Sequence, residues 1–411
     1  MVVAQNEWYP PVLGFDEANN STCGLECMMT GHKDVNTLRA CLTQSQIDPA
    51  KIVWRDDGGH AYDEARQTVD GYLTQYPEVV IYSSNKQDVS DAVRCATEGG
   101  YPASASGGRH FTLGVIDGYV TVDTSNITQA ATINKDDNTL TIPSGFTNGM
   151  VLHALHTLAP PNAALSVGNG GSVGYAGYTI AGGLGYATPM VGMACDTVVE
   201  IEMVLFDGRI VRSNKTLNPE LLWATCGGGG GLGILTELIF QYKLIGPNFA
   251  YGTVTFSRQG TLSGHAEMTS RLLDYFASPQ NEVWGGEVQF HRDTFHLYGL
   301  FAKKSDEVVD LMKELDFDGY GVEYALHDTT SFPQASVFFV CNLMGLIADD
   351  DVLQTEILVE LSRVSGLNTS TLADQVNDEN RHCAETIVQN TLLTLAENRS
   401  SFVNWGIHPA W

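Results

Sequence analysis

The sequence predicts an α+β protein, and three observations carry that expectation. A strand, a helix and a second strand follow one another between Pro77 and Ser106 and run straight into a glycine turn. Past about Gly246 glycine thins out, and two adjacent strands flanked by helices suggest an antiparallel sheet with helices on one face. Between the two regions lie stretches that only backbone can line: Ser104–Gly114, and a glycine-dense run from Val167 to Thr236.

Residues 1–57 read as an N-terminal extension, with Cys23 and Cys27 close together and a short amphipathic piece, Val35–Leu42, that carries Cys41. His32 and His60 lie near these cysteines, but their spacing matches no common zinc pattern, so no metal site is expected. In residues 58–245, Pro77–Ser83 is an apolar β-rich run. Asn85 and Asp88 form a helix-start pair, Val89, Ala92, Val93 and Ala96 recur at helical spacing, and Gly99-Gly100 stop the helix. Tyr101–Ser106 is the next strand, and the Gly107-Gly108-Arg109-His110 turn follows at its carboxyl end, where α/β proteins place ligands. Gly118–Thr124 and Thr139–Pro143 read as strands and Met150–Leu158 as a helix. Val198–Leu205 reads as a half-exposed hairpin strand before the Asp207-Gly208 turn; Asn218-Pro219 opens a short helix through Trp223, and Ile234–Tyr242 is a strand. In residues 246–411 the expected elements are strand Ala250–Phe256, helix Met268–Phe276, strands Glu282–Phe290 and Thr294–Phe301, helix Asp306–Leu315 and strand Gly321–Leu326. A helical pattern runs from Asp349 to the end.

Glycine loses more conformational entropy on folding than any other residue, so its density is costly unless the backbone must turn with φ > 0 or approach something closely. Successive free N–H groups in such turns hold anions, above all the phosphates of a nucleotide. Plain β-turns are the alternative, yet the five consecutive glycines Gly227–Gly231 exceed what a hairpin needs. The NAD-type fingerprint fails: Gly168-x-Gly170-Gly171-x-x-Gly174 has the wrong last spacing, and no strand-to-helix context surrounds it.

With 22 Lys+Arg against 48 Asp+Glu, the chain's charge of −26 repels phosphate backbones and anionic lipid, so no nucleic-acid or membrane-surface partner is expected. No apolar run reaches spanning length, and no signal peptide opens the sequence. Eight cysteines, the acidity, and glycosylation acceptors at Asn19, Asn20, Asn126, Asn214, Asn368 and Asn398 point to a secreted glycoprotein or one of the secretory pathway. A cytosolic protein with free thiols is the alternative. Cys195 with Cys226, and Cys341 with Cys383, are conceivable pairs that spacing does not decide.

Pro77–Ser83, Asp88–Val93, Ser106–His110, Val173–Gly185, Asp196–Val199, Asp207-Gly208, Asn218–Ala224 and Gly227–Thr236 occur in an order that resembles the FAD-linked oxidases of the vanillyl-alcohol oxidase and p-cresol methylhydroxylase type. The match is closest to the berberine bridge enzyme-like and sugar oxidase branch. The resemblance implies a PCMH-type FAD-binding domain of two α+β subdomains over 58–245, followed by a shortened substrate domain with an antiparallel sheet and a helical C-terminus. It implies FAD held by Ser106, Gly107, Gly108, Arg109 and His110 of the first loop and by Gly171, Ser172, Val173, Gly174, Gly177, Gly182, Gly183 and Gly185 of the second. Asp196, Gly233 and Ile234 are implied beyond them. It also suggests that Cys41 pairs with Cys95.

In that family the flavin-linking histidine directly follows the two glycines, whereas here Arg109 holds that place and His110 comes next. Either the loop shifts by one and His110 bonds the flavin, or Arg109 replaces the link and FAD is held without a covalent bond; a neutral imidazole can form such a bond and a guanidinium cannot. Gly170 and its neighbours occupy the region where some members have a second, cysteinyl link. The second half of the family's substrate domain has no recognisable counterpart.

An oxidase of this kind moves hydride from an alcohol or sugar-like substrate to flavin and then electrons to oxygen, and it needs a base for the alcohol proton. Glu287, His291 and Tyr298 are the candidates, with Glu287 and His291 spaced to share one face of a strand; solvated strand positions are the plainer reading. Two other readings stand beside the oxidase. One is a flavin-fold protein without turnover, in a structural, carrier or binding role, and the other is a chain whose substrate domain is completed by a partner.

Overall fold

A computed structural model describes residues 33–69, 75–111, 114–257, 284–290, 294–314 and 321–336, with short pieces at 15–16, 21–22, 270 and 274–275. Most of the helix expected at 268–276, His291, the cysteines at 23, 27, 341 and 383, and the helical pattern after Asp349 lie outside the described residues.

The first layer begins with α1 (Val35–Gln44), which Asp34 caps by accepting from the Asn36 and Thr37 amides. It buries Leu38, Cys41 and Leu42. β1 (Ile52–Trp54) and α2 (Gly59–Arg66) follow. β2 (Val79–Tyr82) leads through the Asn85 cap, which accepts from the Gln87 and Asp88 amides, into α3 (Lys86–Glu98). β3 (Ala103–Ser106) and β4 (Val120–Asp123) complete a four-stranded sheet of order β1-β2-β4-β3, parallel except at β1. Cys41 and Cys95 form a disulfide that joins α1 to α3 across a 5.4 Å Cα–Cα gap, as the resemblance suggested. Leu38 and Leu42, ahead of Gly58, thus belong to this layer's core, where they pack with Val79, Val89 and Val93.

β5 (Thr132–Asn134), β6 (Thr139–Pro143), α4 (Asn148–Leu158) and the short α5 (Tyr175–Ile180) open the second layer. β7 (Val198–Val204) and β8 (Ile210–Asn214) form the expected hairpin, with Gly208 at φ 84 in its turn. The Gly208 carbonyl accepts from Ser90 Oγ at 2.6 Å, so this turn docks onto α3 of the first layer. α6 (Pro219–Thr225) and β9 (Ile234–Gln241) complete an antiparallel five-stranded sheet of order β8-β7-β9-β6-β5. Contrary to the half-exposed expectation, β7 lies inside the sheet, and Glu202 is buried because Lys86, Arg212 and Thr236 all reach it. Buried polar groups need such partners. A second disulfide, Cys195–Cys226, also forms.

The third layer is the antiparallel sheet expected after residue 246. It consists of β10 (Phe249–Ser257), β11 (Trp284–Phe290), β12 (Thr294–Phe301) and, beyond α7 (Ser305–Glu314), β13 (Gly321–Thr329), in the order β11-β12-β10-β13. Because side chains alternate between faces, one face packs Ala250, Trp284, Leu297 and Phe301 on Val308 and Met312 of α7. The other turns Phe249, Tyr251 and Leu300 into the core of the second layer. Gly286, Gly299 and Gly252 stand in one row across three strands. The row leaves room for the Trp284 indole, whose Nε1 a Cβ on Gly299 would meet at 2.8 Å. Overall the chain is α+β, with mixed and antiparallel sheets each backed by helices.

Candidate functional site

The turn after β3 is held by one arginine. Arg109 lies at φ 58, in the left-handed region that costs a side-chain-bearing residue about 1–2 kcal/mol. Its guanidinium turns inward rather than out of the loop. Nε and Nη2 donate to Asp123 Oδ2 at 2.9 and 2.8 Å, Nη2 also donates to Tyr82 OH at 3.0 Å, and Nη1 donates to the Glu64 carbonyl at 3.0 Å. Asp123 stands ready for this because the parallel ladder pairs it with Ser106, the last residue before the glycines. Burial by itself would raise the Asp123 carboxyl, but the Arg109 charge and the Ser125 hydrogen bonds outweigh it and hold the group below its ordinary 3.8.

His110, the next residue, faces the second glycine loop. Its Nε2 lies 2.9 Å from Ser172 Oγ. One side of the ring is open to solvent, and the protein packed round the rest lowers the imidazole below 6.5, so it is neutral at pH 7.

The two loops touch through bare backbone. A Cβ on Gly108 would collide with Gly174 N and come within 2.9 Å of Gly174 Cα and of the Ser172 carbonyl oxygen; one on Gly174 would stand 2.7 Å from Gly108 N. The second loop is fixed from below by α4: the Asn148 and Gly149 amides donate to the Val173 and Gly171 carbonyls at 2.9 and 3.0 Å, and Asn148 Nδ2 donates to the Gly170 carbonyl at 3.0 Å. Along this seam the N–H groups of Gly107, Gly108, Arg109, His110, Gly171, Ser172 and Gly174 donate to no acceptor among the described residues. The buried Ser106 hydroxyl likewise has no partner there. Unpaired amides from two loops, with no carboxylate among them, fit a diphosphate, and the glycines fit because a Cβ would close the seam.

The remaining expected cofactor residues fall into separate groups. Gly182, Gly183 and Gly185 continue from α5: the Gly182 and Gly183 carbonyls accept from the Cys195 and Ala194 amides at 3.0 and 2.9 Å, and Ser166 Oγ donates to the Gly183 carbonyl at 3.0 Å. Gly177 faces open space. Asp196 caps its own turn, accepting from the Met193 amide at 2.9 Å. Gly233 allows β9 to start against the Val204 carbonyl, and Ile234 is buried in the first-layer core. No hydrogen bond among the described residues ties Asp196, Gly233 or Ile234 to the seam.

Of the three base candidates, Glu287 and Tyr298 are direct cross-strand neighbours on β11 and β12, and His291 lies outside the described residues. Glu287 reaches the second loop. Its Oε1 accepts from Asn169 Nδ2 at 3.0 Å and from Tyr186 OH at 2.6 Å. The Tyr186 ring meets Tyr298 edge-on, centroids 6.3 Å apart. Asn169 and Tyr186 were not legible as functional residues, although the Gly285-Gly286 pair ahead of Glu287 was a signal: a Cβ on Gly285 would collide with the Tyr186 carbonyl, so only glycine lets β11 come this close.

Residues 77–214 match the family model described as an FAD binding domain, and this stretch contains both loops of the seam. This chain carries an FAD binding domain. Over 301 residues the chain is 33% identical to YgaK, an FAD-linked oxidoreductase of Bacillus subtilis (strain 168), covering 70% of this chain and 63% of that protein. It is 29% identical over 210 residues to a glucooligosaccharide oxidase of Sarocladium strictum, covering 50% of this chain and 40% of that one. Among solved structures it resembles the glucooligosaccharide oxidase of Acremonium strictum, which carries a 6-S-cysteinyl, 8α-N1-histidyl FAD. The TM-score is 0.62 at 23% identity, over 72% of this chain and 61% of that one. A BBE-like protein of Physcomitrella patens gives a TM-score of 0.63 at 21% identity, over 74% and 64%. The fold is that of the PCMH-type FAD-linked oxidases, and the chain spans less than two thirds of the length of these relatives.

Proposed function

We propose that the protein is an FAD-dependent oxidase acting on a CH–OH group of a sugar-like alcohol, with oxygen as electron acceptor. The observation that carries this is the seam, where free amides of Gly107–His110 and of Gly171, Ser172 and Gly174 converge inside an FAD binding domain. These residues would hold the cofactor's diphosphate. Bound FAD supplies a two-electron acceptor, taking hydride from the alcohol carbon and passing both electrons to oxygen as hydrogen peroxide.

The chain's own residues position and take protons. Arg109 fixes the turn, its guanidinium held by Asp123, Tyr82 and the Glu64 carbonyl, so it is a positioning residue. His110, neutral and beside Ser172, is the residue through which FAD would be linked. Glu287, held against the second loop, is the favoured proton acceptor, with Tyr298 beside it. Around them the same sheet face carries Thr253, Thr255 and His296, with Thr255 Oγ1 2.9 Å from His296 Nδ1. Hydroxyl and imidazole side chains of this kind suit a polyhydroxylated substrate. The relatives named as glucooligosaccharide oxidases support the same substrate class.

Two disulfides and the exposed acceptor Asn126 support a secreted glycoprotein. Among the described residues no helix is long and apolar enough to cross a membrane.

Acid precipitation of the purified chain tests the linkage. Flavin colour is expected to stay with the pellet of the wild type and to be released from His110→Ala. Colour released from the wild type leaves FAD dissociable. Bleaching of the flavin bands by glucose oligosaccharides under nitrogen tests the oxidase. A coloured protein that none of them bleaches points instead to a flavin-fold protein without turnover.

A further inference from the structure

Glu287 is an acidic side chain on an exposed strand position, and such groups ordinarily sit in water without fixed partners. Here both donors that reach it converge on one oxygen: Asn169 Nδ2 at 3.0 Å and Tyr186 OH at 2.6 Å bind Oε1. Oε2 accepts nothing among the described residues. The donors come from the two arms of the second glycine segment, Asn169 from the stretch that touches His110's loop and Tyr186 from the residue after Gly185. The carboxylate comes from the substrate sheet. Gly285 brings that strand against the Tyr186 backbone, so the contact is built into the packing of two layers.

We infer that Asn169 and Tyr186 form a clamp that positions Glu287, fixing Oε1 so that Oε2 stands open as the proton acceptor for the substrate hydroxyl. The inference rests on the oxidase reading. In that reaction Oε2 would take the hydroxyl proton as the alcohol carbon becomes a carbonyl, its hydrogen and electron pair going to the two-electron acceptor that bound FAD would supply. Glu287 would return its proton when oxygen takes the two electrons and both protons as hydrogen peroxide.

Tyr186 and Asn169 are positioning residues and never exchange the proton. Burial, then the Glu287 carboxylate, push the Tyr186 phenol far above its ordinary 10, which keeps it a donor. The groups facing Glu287 are the Tyr186 and Tyr298 phenols and the Asn169 amide. No cation pairs with it among the described residues, so these neutral donors alone fix the orientation of the carboxylate.

The holoprotein tests this by infrared difference spectroscopy at a single pH. The carboxylate band assigned to Glu287 by wild type minus Glu287→Gln is compared in the wild type, Tyr186→Phe and Asn169→Ala. Losing a donor to Oε1 is expected to shift the frequency of that band, with flavin content unchanged and bleaching by glucose oligosaccharides slowed by about tenfold. Glu287→Gln is expected to slow bleaching by about 10²-fold or more. A band that stays in place in both variants overturns the clamp. A wild type that holds FAD but is bleached by no sugar overturns the oxidase reading alone, since the band position still reads the clamp.

Discussion

Arg109 is charged, bears a side chain at a left-handed backbone position, and stands where the resemblance placed a histidine, yet its surroundings account for it. The Asp123 carboxylate is wholly buried, and the Arg109 guanidinium is what neutralises it. Breaking a buried pair by removing one partner costs about 3–5 kcal/mol, so Asp123→Asn is expected to lower the melting temperature markedly at neutral pH. The pH dependence has a definite sign. Asp123's folded value is depressed, so its contribution is fully present above 3.8 and is lost as pH falls through the folded value. The gap in melting temperature between wild type and Asp123→Asn should therefore close below 3.8. A gap that persists unchanged in acid would remove the ion pair from the account. Gly108 is the other decisive residue. Gly108→Ala puts a methyl group onto Gly174 N, and only backbone lies there to give way. The variant is expected to fold, as judged by circular dichroism, but to lose flavin absorbance.

At the scale of elements, the Cys41–Cys95 disulfide ties α1 to α3 directly behind the strand that delivers the turn. Removing a native disulfide costs about 2–5 kcal/mol, so Cys41→Ser with Cys95→Ser should lower the urea midpoint. The Cys195–Cys226 bridge braces the segment that holds Gly182 and Gly183. Elements of this kind were largely legible: the Asn85 cap, the Gly208 turn and strands Thr139–Pro143 and Thr294–Phe301 all follow from local propensity and alternation, which short-range forces decide. What local pattern could not carry was pairing between distant segments. Glu202 reads as a solvent-facing position until Lys86, 116 residues away, reaches it. Ile52–Trp54 is too short to announce itself before β2 pairs with it. The same limit applies at the site. The glycine loops could be read from the sequence, because glycine density is itself a signal, and Glu287 could be named as a candidate. Its partners Asn169 and Tyr186 lie 118 and 101 residues away and carry no mark of their own.

At the scale of the molecule, loops from two sheets meet at one seam and a third sheet reaches the second of them. The first layer presents Ser106–His110, the second presents Gly168–Gly185, and the third lays Glu287 across the second. The apolar cores are shared across the layers, with Ile234 of the second in the core of the first and Phe249 of the third in the core of the second, so close packing fixes the layers against one another. The net charge of −26 acts at this scale too. A field of that sign repels anionic substrates, so neutral sugars should bleach the flavin faster than their uronic acid counterparts, and added salt should narrow the difference. All of this depends on nucleotide occupancy between the loops. The most direct measurement is the flavin-to-protein absorbance of the purified chain, wild type beside Gly108→Ala. A stoichiometric flavin signal in the wild type, absent from a folded Gly108→Ala, is the expected result. A colourless wild type that takes up no FAD on titration, or a Gly108→Ala variant that binds flavin as well as the wild type does, would contradict it.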